Sequence, residues 1–139
     1  MFSLDPAFLA TSDALASLAL CEARLQLDAR FPGIVLIPRL PGMVELEDLT
    51  EEQGAMLLSE IGAASEAVRR LGAALGRPVE KLNVGQLGNI TRQLHVHVVG
   101  RRTDDACWPR PVWGQGVAES YGAVALETAK AAARLALAA

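Results

Sequence analysis

Two histidines occur in the chain, His95 and His97, one residue apart. They lie in the run Gln93-Leu94-His95-Val96-His97-Val98-Val99, in which polar and apolar residues alternate. That period is the pattern of a strand with one buried face, so Gln93, His95 and His97 point one way and Leu94, Val96 and Val98 the other. Side chains two apart on a strand stand about 6.5 Å apart, which places the two imidazoles and an amide in one row. A neutral imidazole is a competent nucleophile toward phosphorus, provided an acceptor holds its second ring nitrogen and fixes the tautomer. Just upstream stand Asn83, Gly85, Gln86, Gly88 and Asn89. Glycines let peptide N–H groups approach an anion, and carboxamides bond to phosphate or sugar. Taken alone, the His-x-His pair also fits a metal pair or a structural pair satisfied by hydrogen bonds. A metal would need further ligands, and only Cys21, Cys107 or carboxylates could join, at no recognisable spacing.

The wider run Gly88-Asn89-Ile90-Thr91-Arg92-Gln93-Leu94-His95-Val96-His97-Val98-Val99 resembles the signature of the histidine triad (HIT) family. That signature is His-φ-His-φ-His-φ-φ, with φ apolar, after a Gly-Gln-Ser/Thr-Val segment and an upstream Asn. Gln93 stands at the first His, His95 at the second and His97 at the third. Asn89 stands at the Gln, Ile90 at the Ser/Thr and Asn83 at the upstream Asn. The segment from Arg102 to Gly114, RTDDACWPRPVWG, is similar to that of a bacterial branch of the family.

The resemblance implies an α+β fold, a HIT-like antiparallel sheet with a long helix and flanking helices, in a homodimer that joins two sheets. It implies hydrolysis or transfer at the α-phosphate of a nucleoside phosphoramidate, a dinucleoside polyphosphate or a related adenylylated compound. His95 would be the nucleophile, forming a nucleotidyl-histidine that water resolves, and His97 would hydrogen-bond the phosphate. Gln93 completes the catalytic set, although a carboxamide cannot carry a proton between groups. Asn83, Gly88 and Asn89 would contact phosphate or the leaving-group side, and Asp28, at a strand end, the ribose hydroxyls. As a bare turn residue, Asp28 reads equally well as an exposed carboxylate. No cofactor and no metal are required for the covalent step. The departures at Gln93 and Ile90 keep open a second reading, a nucleotide sensor that binds without turnover. The chain also has Arg39 where the family has Lys, and Pro41 where many members carry another His.

The elements that must position these residues follow from pattern. Asp5-Pro6 starts a helix over residues 6–20, with Phe8, Leu9, Leu15, Leu18 and Leu20 as core, although residues 11–13 could restart it. Residues 22–28 alternate as a strand. Residues 34–37, Ile-Val-Leu-Ile, read as a central strand buried on both faces, paired with it as a hairpin across the turn at residues 29–33. Thr50-Glu51-Glu52-Gln53 is a capping box. It opens a helix whose stripe Leu57, Ile61, Ala64, Val68, Leu71 and Leu75 is ordinary core, and Gly76-Arg77-Pro78 stops it. A strand at residues 80–87, the histidine strand at 91–99, a loop at 101–116 and a helix from about residue 119 complete a single domain over residues 1–139. Arg101-Arg102 reads as a solvated strand end. Trp108 and Trp113 read as closers of a core edge or a dimer interface, with stacking on a base as the lesser alternative.

A chain of 139 residues with 51% apolar and 21% charged residues is globular rather than disordered. A net charge of −3 without a basic cluster argues against broad nucleic-acid binding. Two cysteines make no disulfide framework, and reduced thiols in a cytoplasmic protein are the expectation. No secretory signal and no membrane-spanning run are expected.

Overall fold

The alternation at residues 21–26 and the β-branched run at 34–37 become adjacent strands at the centre of one sheet. In a computed structural model that describes all 139 residues, five strands form. They are β1 (Ser12–Ser17), β2 (Cys21–Gln26), β3 (Gly33–Pro38), β4 (Lys81–Gly85) and β5 (Val96–Arg101). Their spatial order is β1-β2-β3-β5-β4, and every pairing is antiparallel. β3 is buried at every residue because its neighbours cover both edges and other elements cover both faces. Three helices complete the fold: α1 (Pro6–Thr11), α2 (Glu51–Ala74) and α3 (Ala123–Leu137), with a single 3-10 turn at Leu46–Asp48.

The sheet's two faces differ in kind. Cys21, Ala23 and Leu25 of β2, Ile34 and Leu36 of β3, and Val96 and Val98 of β5 join one core with Leu57, Ala64, Val68 and Leu71 of α2 and Ala129 and Ala133 of α3. The other face carries the histidines. One end of it is covered by α1, where Phe8 packs on Val35 and Ile37. The other is covered by the segment after β5, where Cys107, Val112 and Trp113 pack with Phe31 and Val99. Cys21 and Cys107 are both free thiols, buried on opposite faces of the sheet. No helix is long and apolar enough to cross a membrane.

Capping explains the clearest helix. The Thr50 hydroxyl accepts from Gln53 N–H, and the Gln53 carboxamide accepts from Thr50 N–H at 2.9 Å, which satisfies two orphan donors of the first turn. At the far end Gly76 adopts φ +74°, and Arg77 N–H donates back to the Gly72 carbonyl. The stripe on α2 holds one exception: Glu60 is buried, and its two oxygens accept from Leu20 N–H and Cys21 N–H, each at 2.8 Å. A carboxylate among apolar residues thus ties the β1–β2 turn to the helix.

Several boundaries differ from the sequence expectation. The first helix ends at Thr11, and residues 12–17 form an edge strand rather than the rest of a helix over 6–20. Arg24 secures that break: its guanidinium donates to the Ser12 hydroxyl and the Ser12 carbonyl at 2.7 Å each, so the chain turns into the sheet. Leu15 and Leu20 are still buried, but Leu9 is exposed. The histidine strand enters the ladder only at Val96; before it, Leu94 N–H donates to the Met43 carbonyl of a loop. The last helix starts at Ala123 rather than near residue 119. Arg101, expected in solvent, is buried at 1% exposure. Its guanidinium donates to both oxygens of Asp105 and to Asn83 Oδ1, beside the rings of Phe31 and Trp108.

Candidate active site

The period-two alternation holds through the site even though the ladder starts late. The rings of His95 and His97 stand on the same face with centroids 5.1 Å apart, edge to face. His97 pairs with Val35 on one side and Gly85 on the other. His95 is nearly buried, and Phe8 of α1 meets its ring edge-on at 4.9 Å. His95 Nδ1 lies 2.7 Å from the backbone carbonyl of Gln93. A carbonyl only accepts, so in the neutral ring Nδ1 carries the proton and Nε2 the lone pair. That is the tautomer a nucleophile needs.

His97 is a different imidazole. Burial, and then the neighbouring His95, pull its pKa down to about 4. It is neutral at neutral pH and serves as a hydrogen-bonding group rather than a cation. Its ring also faces Trp113, with centroids 6.1 Å apart. The indole comes this close because Gly85 lies beneath it: a Cβ at Gly85 would sit 2.7 Å from the ring. A glycine inside a strand marks such an approach.

Two recesses meet at His97 and Trp113, which line both together with Gln26 and Gly114. The first, about 270 Å3, runs between Phe31 and Val99 toward Asp28 and Arg30. The second, about 400 Å3 and more open, reaches His95 and is bordered by Gly88, Asn89, Ile90 and Thr91. Gly88 has φ +80°, a left-handed conformation that suits glycine. The peptide N–H groups of residues 87–91, which border this recess, donate to no carbonyl of the chain. No group of three His, Cys, Asp or Glu side chains is arranged to hold a metal ion.

The residues singled out by sequence divide into three groups. His95, His97, Gly88 and Asn89 come together around one recess. Asp28 lines the other recess, but its carboxylate is engaged. It accepts from Arg30 Nη2 at 2.8 Å, from Arg30 Nε and N–H, and from Glu119 N–H. Burial pushes its pKa up, yet those hydrogen bonds prevail and hold it below the usual carboxylate range. Gln93 and Asn83 line neither recess. Gln93 turns toward the N-terminal segment, accepting from Asp5 N–H and donating to the Ser3 carbonyl, each at 2.8 Å. Asn83 gives its Oδ1 to Arg101 at 2.8 Å. Ile90 is fully exposed at 99% and brings no hydroxyl.

Three lining or supporting residues escape a reading by sequence alone: Gln26 and Arg30 as lining and Phe8 as the contact on His95. Trp113, for which the sequence offers base stacking as the lesser alternative, walls both recesses over Gly85. Arg30 fastens the wall of the first recess by donating to the Gln115 carbonyl at 3.0 Å.

Residues 9–104 match the sequence family described as HIT domain. Among solved structures, the chain is similar to a histidine triad protein from Bradyrhizobium japonicum, with a TM-score of 0.90 and 36% identity over 98% of each chain. It is also similar to a histidine triad protein from Sinorhizobium meliloti, with a TM-score of 0.88 and 39% identity over 99% of this chain and 98% of the other. A third, from Marinobacter aquaeolei, gives a TM-score of 0.89 and 34% identity over 99% and 97%. No curated protein matches the chain.

Proposed function

The chain belongs to the histidine triad family of nucleotide-binding hydrolases and transferases, and from that premise we propose that it cleaves a nucleotide at the α-phosphate through His95. The observation that carries this reading is the bond from His95 Nδ1–H to the Gln93 carbonyl, which in the neutral ring puts the lone pair on Nε2 of a residue that lines the recess. Nε2 attacks the α-phosphorus of a nucleoside phosphoramidate or dinucleoside polyphosphate, and the bond to the leaving group breaks. Water then attacks the nucleotidyl-histidine, returns the electron pair to Nε2, releases a proton to solvent and yields the nucleoside monophosphate. Neutral His97, the free peptide N–H groups beside Gly88 and the Asn89 carboxamide bind the phosphoryl oxygens as fixed dipoles. The nucleoside enters the narrower recess against Phe31 and Val99. Asp28 acts there by shaping, since Arg30 already occupies its oxygens, and Asn83, outside both recesses, supports Arg101.

The protein acts in the cytoplasm as a homodimer. The free edge of β4 and the exposed apolar side chains of Val84, Leu87 and Ile90 supply the contact surface. A second reading, a nucleotide sensor without turnover, draws on the engaged amide of Gln93 and the missing hydroxyl at Ile90. The deciding experiment incubates the protein with an adenosine phosphoramidate and with diadenosine tetraphosphate, wild type beside His95→Ala, and weighs products and intact protein by mass spectrometry. Adenosine monophosphate from wild type alone, with an adenylyl adduct on the intact chain, is the expected result. Binding without product from either substrate would leave the sensor.

A further inference from the structure

The proposed reaction leaves one question open at the leaving group: which proton, if any, goes with it. An alcohol, phosphate or carboxylate can depart from phosphorus as a stabilised anion in proportion to its acidity. An amine cannot depart as its anion and must be protonated as the P–N bond breaks. The recess that holds His95 therefore has to contain a general acid if amidates are to turn over well.

It contains none. The polar side chains along it are Gln26, Asn89, Thr91 and the two histidines. His95 is committed as the attacking base, with its one N–H bonded to the Gln93 carbonyl. His97 is neutral until the pH falls to about 4. Gln93, at the position nearest in sequence, has both ends of its amide bound to the backbone of residues 3 and 5 and lines no part of the recess. The nearest carboxyl that lines the adjoining recess, Asp28, is bound by Arg30. What borders the recess instead is a row of uncommitted peptide N–H groups on the turn after β4. Such dipoles stabilise a departing negative charge and transfer no proton.

We infer that the site is built for nucleoside 5′-phosphate anhydrides, whose leaving group departs as a stable oxyanion, and that it discriminates against nucleoside phosphoramidates. This rests on the nucleotidyl-transfer reading above. In the first step the bond from His95 Nε2 to phosphorus forms, and the P–O bond breaks with its electron pair staying on the leaving oxygen. No proton moves in that step. Hydrolysis of the intermediate consumes one water and releases one proton to solvent, so the whole is substrate plus water giving nucleoside monophosphate, leaving-group anion and a proton.

The test uses the wild-type chain and kcat/KM, which reports the first irreversible step. Adenosine 5′-phosphate derivatives are compared at neutral pH: p-nitrophenyl and phenyl esters, diadenosine tetraphosphate, and an amidate of a simple aliphatic amine. The expected result is a steep fall of kcat/KM with leaving-group pKa, with the amidate about 100-fold or more below the anhydride, the scale of a missing general acid. An amidate within about tenfold of the anhydride, with an adenylyl adduct detected, would overturn this inference alone. No turnover and no adduct with any substrate would overturn it together with the reaction it rests on.

Discussion

Replacing Gln93 by alanine separates a positioning role from a chemical one by size. The side chain makes two hydrogen bonds to the backbone of the N-terminal segment, at 2.8 Å each. Each is worth about 0.5–1.5 kcal/mol net, so the variant should lose about 1–3 kcal/mol of stability. For a domain of this size that lowers Tm by roughly 3–10 °C. The loss has a second destination. Asp5 takes one of those bonds and also caps α1, accepting from Ala7 N–H at 2.9 Å, and α1 carries Phe8 against the His95 ring. Loosening this loop of contacts should slacken the nucleophile and cut kcat/KM for an anhydride about tenfold, equivalent to about 1.4 kcal/mol. A general acid, in contrast, contributes about 100- to 10,000-fold. Thermal unfolding and anhydride turnover are measured side by side, with Gln93→Glu as an intermediate that keeps the acceptor for Asp5 N–H and loses the donor to Ser3. A drop in kcat/KM of about 1,000-fold with unchanged Tm would refute the positioning account.

Three other perturbations have definite outcomes. The depressed pKa of His97 means that the unfolded chain binds more protons than the folded one between pH 6.5 and about 4. The stability contributed by its neutral form is complete above pH 6.5 and is lost as pH falls through that window, up to about 3 kcal/mol; in urea unfolding wild type should lose stability between pH 6.5 and about 4 more steeply than His97→Asn, and identical pH slopes would exclude the ring as the cause. Arg101→Met strands the buried Asp105 carboxylate, whose pKa is pushed up by burial but brought to about 2 by Arg101 and the backbone N–H groups of Arg102 and Cys107. Unfolding free energy should fall by about 3–5 kcal/mol, and a loss under about 1 kcal/mol would show the pair to be dispensable. Gly85→Ala places a methyl 2.7 Å from the Trp113 ring. The indole must move, so tryptophan fluorescence should shift to the red and nucleotide affinity weaken, while an unchanged spectrum and affinity would remove Trp113 from the site.

Much of this molecule is written in local pattern. β2, β3 and the body of α2 follow from alternation, a β-branched run and a capping box, each decided within a few neighbouring residues. The shared face of His95 and His97 follows from period two. What local pattern does not carry is the outcome of competition with distant partners. Residues 12–17, Ser-Asp-Ala-Leu-Ala-Ser, favour a helix by composition, and the Arg24 guanidinium on the next strand turns them into a sheet edge. Arg101 looks solvated until Asp105 and two aromatic rings close around it. Gln93 looks like a site residue until the N-terminal backbone arrives to claim its amide. Asp28 likewise has its partner two residues away, yet nothing in an Asp-x-Arg spacing says that the bond will be made rather than left to water.

The order of strands has a consequence for how the protein is made. β4 has one partner, β5, and β5 is also the only strand joining β4 to β3. During synthesis β1, β2, β3 and α2 can assemble from contacts between neighbours in the chain, whereas β4 leaves the ribosome with no edge to join. It waits for β5, which pairs with β4 as a near neighbour in the chain but reaches β3 across a long stretch, Val35 to His97, and so closes slowly there. β5 is the histidine strand. The nucleophile is thus installed by the same late event that completes the sheet, so an incompletely folded chain exposes an open β3 edge and has no reactive centre.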